Sequence, residues 1–289
     1  MGGVGFVGLG QMGGAMALHL VDYPGGLTVC DLRPEATERH VAAGATAVAT
    51  PAEVAERSNV VSIMVLDDDQ VRAVIKEMIP AAAAGTTFAI HSTIRAQTAM
   101  DLAVEAAAAG MAVVDAPVSG GFMGAGDGTL ATMVGGDDDA VALCRPSFER
   151  WAKLILHMGP VGAGTKAKLA RNLMHFTAFT AALEAQRVAE AAGIDLASLA
   201  KVVKHTDAIT GGPGAILVRD TTAPIPEDDF WYPIMCHTRT LGEKDLRLAL
   251  ELADELGIEV PLGRLALDRF ATNLGVAHSD AANPEPETP

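Results

Sequence analysis

Lys168 and Asn172 stand four residues apart in the run Gly164-Thr165-Lys166-Ala167-Lys168-Leu169-Ala170-Arg171-Asn172. If that run is helical, the two side chains share a face and reach the same small molecule. A lysine in a partly closed cleft can have its pKa lowered until it trades protons near neutral pH, and an ammonium beside a carbonyl oxygen stabilises developing negative charge. Asn172 would orient the molecule on which the lysine acts. The plain alternative, two polar residues on a solvated helix side, fits Lys166 and Arg171 better, because Lys168 and Asn172 flank the apolar row through Leu169 and Leu173.

A second constellation opens the chain. Val4-Gly5-Phe6-Val7 reads as a buried strand, Gly8-Leu9-Gly10-Gln11-Met12-Gly13 follows at once, and Ala15 to Val21 continues as an apolar helix. This is the strand-turn-helix order of a dinucleotide fingerprint. Gly8 allows the tight turn, Gly10 lets the backbone approach a pyrophosphate, and Gly13 lets helix and strand pack closely, while the helix N-terminus offers amide donors. The next strand, Leu27 to Cys30, ends on Asp31, near the offset of roughly 20 residues at which an acid accepts hydrogen bonds from the adenosine ribose. A carboxylate there favours NAD and would repel the extra phosphate of NADP. Leu32 and Arg33 follow in the same loop, and the Arg33 guanidinium is either a partner for a 2'-phosphate or a solvated loop charge.

In an open parallel sheet, ligands lie outside the carboxyl ends of the strands, so the residues after each strand complete the list of candidates. Val65 and Leu66 would flank the ribose or adenine, and Ser92 and Thr93 would hydrogen-bond the nicotinamide side, cap the following helix, or do both. Ser119-Gly120-Gly121 offers a hydroxyl and consecutive unencumbered amides, a backbone concavity suited to a carboxylate. Lys244, beside Asp245 on a later helix, is a second basic candidate, and its alternative is a surface charge pair. The histidines show no metal-ligand spacing, so no metal site is expected.

The elements that must position these residues alternate in the first half of the chain. Helices are expected over 34–43, 51–57, from Asp68 and over 96–109, and apolar strands over 60–65, 87–90 and 112–115, as a parallel sheet covered on both faces requires. Strands over 130–134 and 153–157 flank a helix around 138–150 and complete the sheet. From Ala163 the strand signals fade. Leu169, Leu173, Phe176, Thr180 and Leu183 recur at helical spacing to near Gly193, and further helices are expected over 196–205, 242–256 and 262–274. The expected fold is therefore an α/β N-terminal Rossmann-type dinucleotide-binding domain, residues 1–161, joined by a long helix to an all-α C-terminal domain, residues 162–280. Residues 281–289, rich in proline and glutamate, are expected to be a disordered tail.

At 289 residues, 49% hydrophobic and 20% charged, the composition suits two globular cores. A formal charge of −15 argues against a nucleic-acid or anionic-membrane surface. A small anionic substrate must then meet a local cationic pocket. Three scattered cysteines fit a reducing cytoplasm, and the glycine-broken N-terminus, which lacks a basic start, is not expected to be a signal or membrane segment.

Together these motifs resemble the β-hydroxyacid dehydrogenase family, of the 3-hydroxyisobutyrate dehydrogenase type and related to 6-phosphogluconate dehydrogenase. The resemblance covers nearly the whole chain: the opening glycine motif, Asp115-Ala116-Pro117-Val118-Ser119-Gly120-Gly121, Gly162-Ala163-Gly164 through Lys168 and Asn172, and Lys244-Asp245. It implies that Lys168 is the catalytic lysine and Asn172 its substrate-binding companion. It also makes Ser119, Gly120 and Gly121 the carboxylate anchor, and Thr93 and Lys244 cofactor contacts. The C-terminal helices would form a substrate lid and the interface of a homodimer or higher oligomer. Three positions depart from the pattern: Arg171 where asparagine or histidine is common, Ile90 where aspartate is common, and Leu66 in place of a frequent proline.

The expected activity is NAD(P)-dependent hydride transfer between a small 3-hydroxy acid and the nicotinamide, with Lys168 as general acid and base. The alternatives are an NADPH-dependent reductase of short aldehyde acids, such as tartronate or succinic semialdehyde, or of imines, and a sensor that binds dinucleotide without turnover. Imine reductases usually lack the lysine, and a sensor needs no proton-transfer group.

Overall fold

The structure, a computed structural model, describes residues 2–278; the expected tail lies outside the described residues. Nine strands form one sheet: β1 (Gly3–Val7), β2 (Leu27–Cys30), β3 (Thr46–Ala47), β4 (Ser58–Ile63), β5 (Thr87–Ile90), β6 (Ala112–Asp115), β7 (Val118–Ser119), β8 (Leu130–Gly135) and β9 (Ala152–Gly159). The order is β3-β2-β1-β4-β5-β6-β8-β7, with β9 pairing β8. Strands β1 to β6 pair with one another in parallel, whereas β8 is antiparallel to β6 and β7, and β9 is parallel to β8. The sheet is thus parallel over its first six strands and mixed beyond.

The helices between the strands are α1 (Gln11–Leu18), α2 (Glu38–Ala42), α3 (Pro51–Glu56), α4 (Asp68–Met78), α5 (Ala96–Ala108), α6 (Gly121–Gly126) and α7 (Asp138–Phe148). The helix expected over 34–43 is divided: Pro34–Thr37 is a 3-10 turn and only α2 is α-helical. Side chains of α1, α6 and α7 bury with Phe6 and Trp151 in one core, and those of α3, α4 and α5 bury with Phe88 and Ile90 in another, so both faces of the sheet are covered. Local caps set several starts. Thr50 and Glu53 close a reciprocal capping box on α3, and Asp67 accepts from the Gln70 amide at the start of α4.

Helix α8 (Ala163–Ala191) runs on into α9 (Leu196–Thr210), a 3-10 turn at Gly212–Ile216, α10 (Trp231–Glu255) and α11 (Pro261–Leu274). Two compact units divide within α8, after Asn172. In the second unit, Glu184 on α8 accepts from the Leu262 and Gly263 amides, both at 2.9 Å, and so caps α11. Helix α10 starts at Trp231, earlier than the expected Gly242. Pro233 sits in its first turn, where no intrahelical amide is needed. Trp231 packs against a core that includes Met235, Ala271 and Leu274. Phe230 is exposed, with its ring against Trp231.

Candidate active site

The carboxyl edge of the sheet gathers most of the candidates. Beyond the strand ends the backbone ladder continues, Gly8 donating to Cys30, Met64 to Val7, His91 to Ile63 and Ala116 to Ile90. The turns after β1, β2, β4, β5 and β6 are therefore held side by side. Gly8 has φ +92, and a Cβ there would lie 2.3 Å from the Met64 carbonyl oxygen. A Cβ on Gly13 would lie 2.1 Å from the Gly8 carbonyl oxygen. Both glycines are required by close packing of turn, helix and strand. Gly10 differs: a Cβ there would meet nothing within 4 Å.

Gly10 is the N-cap of α1, makes no side-chain cap bond, and is followed by no acid in the first turn. Exposed Gln11 and half-buried Met12 begin the helix. An open glycine before uncapped helix amides suits the pyrophosphate of a dinucleotide. Asp31 closes the turn from the other side, its Oδ2 accepting from the Leu9 amide at 2.7 Å and its Oδ1 from the Arg33 amide at 2.9 Å. Each oxygen keeps a lone pair for a ribose hydroxyl. The Arg33 guanidinium turns back to Asp31, Nε to Oδ1 at 3.5 Å, so it is a paired loop charge. Leu32 and Leu66 project into solvent, and Val65 is half-buried between them and the sheet end.

Ser92 does not cap the helix that follows it. Its hydroxyl accepts from the Val65 amide at 2.9 Å and donates to the Val65 carbonyl at 2.7 Å, locking the turns after β4 and β5 together, while the cap of α5 is Arg95. Thr93 beside it is exposed. His91 is wholly buried against Phe6, Phe148 and Trp151, its ring nitrogens 2.8 Å from the Ala116 carbonyl oxygen and 3.0 Å from the Ser62 hydroxyl. Burial pushes its pKa down to about 4. A neutral imidazole in this setting is a core group.

Asp115, at the end of β6, carries a role that no local signal announces. Its fully buried carboxylate accepts from the Gly162 amide at 2.7 Å and the Thr165 amide at 2.6 Å, pinning the first turn of α8 to the sheet edge. Burial raises its pKa, and these backbone hydrogen bonds oppose the rise. The approach is so close that a Cβ on Gly164 would lie 2.3 Å from the Met133 carbonyl oxygen, and one on Gly135 would lie 2.3 Å from the Asp115 carboxylate. Lys168 follows one turn later and is only 8% exposed. Burial, and then the positive charge of Arg171, hold its pKa below the ordinary lysine value. Asn172 is half-buried one further turn along, as its spacing requires.

Ser119 pairs with Ala131 in the short β7–β8 ladder, and the chain then turns through Gly120 (φ +134) and Gly121 (φ +65) into α6, which packs on α1. A Cβ on Gly121 would meet nothing within 4 Å, so its backbone is open. Lys244 lies in the second unit, exposed on α10, with its ammonium 3.2 Å from Asp245. Among the described residues no group of histidine, cysteine and acidic side chains could hold a metal, and no helix is long and apolar enough to cross a membrane.

A glycine turn opening a helix at the carboxyl edge of a parallel sheet, with a buried lysine on a helix pinned to the same edge, defines a dinucleotide-dependent oxidoreductase. The comparisons agree. Residues 3–159 match the NAD binding domain of 6-phosphogluconate dehydrogenase, and residues 162–283 match the NAD-binding model of NADP-dependent 3-hydroxyisobutyrate dehydrogenase. An oxidoreductase from Mycobacterium avium 104 is similar at TM-score 0.91 and 49% identity, over 95% of this chain and 99% of that one. The NAD-dependent L-serine dehydrogenase of Pseudomonas aeruginosa is 34% identical over 96% of this chain and 94% of its own. Mycobacterium tuberculosis 3-hydroxyisobutyrate dehydrogenase, in a structure with L-serine, is similar at TM-score 0.66 and 32% identity over 96% of each chain. The chain belongs to the β-hydroxyacid dehydrogenase family and is an NAD(P)-dependent oxidoreductase.

Proposed function

We propose that this enzyme oxidises a small 3-hydroxy acid to the corresponding carbonyl acid, with Lys168 as the proton acceptor. The carrying observation is the state of Lys168: buried, lowered in pKa, and fixed by the Asp115 anchor on one helix face with Asn172. Bound at the Gly8–Gly13 turn, the nicotinamide dinucleotide supplies the acceptor for the hydride. The carbinol C–H bond breaks with its electron pair, the O–H bond breaks with its proton passing to Lys168 Nζ, and the carbon–oxygen bond becomes a carbonyl. The resulting ammonium stays beside that oxygen, and in reduction returns the proton. Ser119, Gly120 and Gly121 hold the substrate carboxylate, and Asn172 orients the reacting carbon. The relatives named for 3-hydroxyisobutyrate and L-serine share the unit of a hydroxyl on the carbon next but one to a carboxyl.

NAD is the preferred form on this reading, because Asp31 faces the ribose and its neighbour Arg33 is already paired to it. Thr93 contacts the cofactor on this reading, and the functional division of the chain falls at residues 161 and 162. The experiment is a panel of 3-hydroxy, 2-hydroxy and 4-hydroxy acids with NAD and with NADP. Reduction of NAD by 3-hydroxy acids is the expected outcome; binding of the dinucleotide with no turnover across the panel would return the reading to a sensor.

The enzyme works as a homodimer or higher oligomer in the cytoplasm. Helix α9 buries none of its residues and exposes Val202, Val203 and Ile209, while Leu173, Phe176, Phe179 and Leu183 are exposed along α8. A 15-residue helix without packing is marginal in water, so a second copy supplies the cover. The three cysteines are free and buried, which suits a reducing compartment. Light scattering should give at least twice the 29.8 kDa chain mass; a monomer at micromolar concentration would refute the assembly.

A further inference from the structure

Arg171 lies at i+3 from Lys168 and next to Asn172, so the three side chains emerge within one turn of the same face of α8. Its Nη1 donates to Asn172 Oδ1 at 3.3 Å, which holds the amide oxygen and leaves the Asn172 NH2 as a donor. The guanidinium is half-buried, and among the described residues of its own compact unit no carboxylate lies in ion-pair range of it. Two neighbouring cations on one helix face repel each other, and a protein of charge −15 has acids enough to neutralise a surface arginine. Within its own unit this one has the neutral amide of Asn172 as its side-chain partner.

A 3-hydroxy acid with one carboxylate has no use for Arg171, because Ser119, Gly120 and Gly121 already take that carboxylate and Lys168 takes the hydroxyl. The planar fork of an arginine matches a carboxylate or phosphate bidentately. We infer that Arg171 selects 3-hydroxy acids carrying a second anionic group, so that the substrate is a dianion anchored at the Ser119–Gly121 turn by one end and at Arg171 by the other. The inference rests on the oxidation proposed above and adds its substrate class.

The test compares kcat/KM for 3-hydroxyisobutyrate, for 2-(hydroxymethyl)succinate and for 3-hydroxy-2-(phosphonomethyl)propionate, which differ only in what replaces the methyl hydrogen. The intact enzyme should favour a dianion, and the better of the two tells whether the second group is a carboxylate or a phosphate-like anion. In Arg171→Gln the ratio of dianion to monoanion should fall ~10- to 100-fold, the loss of a charge-assisted hydrogen bond pair. Arg171→Lys, which keeps the charge without the fork, should fall between. A monoanion preference in the intact enzyme, or a dianion preference that both variants retain, overturns the inference while leaving the oxidation standing. Inactivity on every 3-hydroxy acid brings down the oxidation and this inference with it.

Discussion

Replacing Lys168 by methionine is expected to cut turnover ~100- to 10,000-fold, the range of a lost general acid–base group, while dinucleotide binding persists. The reason is specific to this lysine. Its stem is buried and its pKa is held down, so the neutral amine that accepts a hydroxyl proton is available at a lower pH than an exposed lysine allows. The oxidation rate should therefore rise with pH along a single limb whose midpoint lies below the ordinary lysine value of about 10.4. The reduction, which needs the ammonium, should fall along the same limb.

The lysine also acts on stability, and with a definite sign. In the unfolded chain it binds its proton more tightly than in the fold, so it costs stability at neutral pH, and the cost disappears as pH rises from the native pKa towards the unfolded one. Lys168→Met should then be more stable than the parent at pH 7, and the difference should shrink in alkali. Thermal melts and pH–rate profiles read these effects separately. A methionine variant that keeps its turnover would remove the lysine from the mechanism.

What could be read before the fold was known depended on how far apart the interacting groups lie. The glycine turn before α1, the place of Asp31 beside it, and the shared helix of Lys168 and Asn172 were legible because each placement follows from neighbours within a turn, or from a strand-to-strand offset. Asp115 was not legible as an anchor, because its partners Gly162 and Thr165 lie 47 and 50 residues downstream. The bond from Ser92 to Val65 was not legible for the same reason, its partner lying 27 residues back. Hydrophobic runs located β8 and β9, but direction is absent from such runs, and β8 turned out antiparallel to β6. The apolar Leu154, Leu156 and Met158 of β9 are exposed on the strand beside β8, where an apolar run alone implies burial. Strands β3 and β7 have two residues each, too few for a period to show. Arg171 looked like a solvated charge from the apolar row; its hold on Asn172 depends on side-chain geometry that spacing does not carry.

Gly10→Val and Gly13→Ala should fail in opposite ways. A Cβ at Gly10 meets no protein atom within 4 Å, and Gly10 has φ −63, so the fold has room for a branched side chain there. It would instead fill the space in front of the α1 amides. Losing two charge-assisted hydrogen bonds at ~1.5–3 kcal/mol each weakens dinucleotide binding by roughly 100-fold or more, with stability of the free protein within about 0.5 kcal/mol of the parent. At Gly13 even one methyl group would sit 2.1 Å from the Gly8 carbonyl oxygen, a backbone atom with no rotamer to move. Overpacking of that kind costs ~1–3 kcal/mol, so the melting temperature should drop before any ligand is added. Calorimetry on the free proteins and NAD titration of each separate the two outcomes. Normal NAD affinity in Gly10→Val would place the pyrophosphate somewhere other than this turn, because the same open space that spares the fold is what the ligand has to occupy.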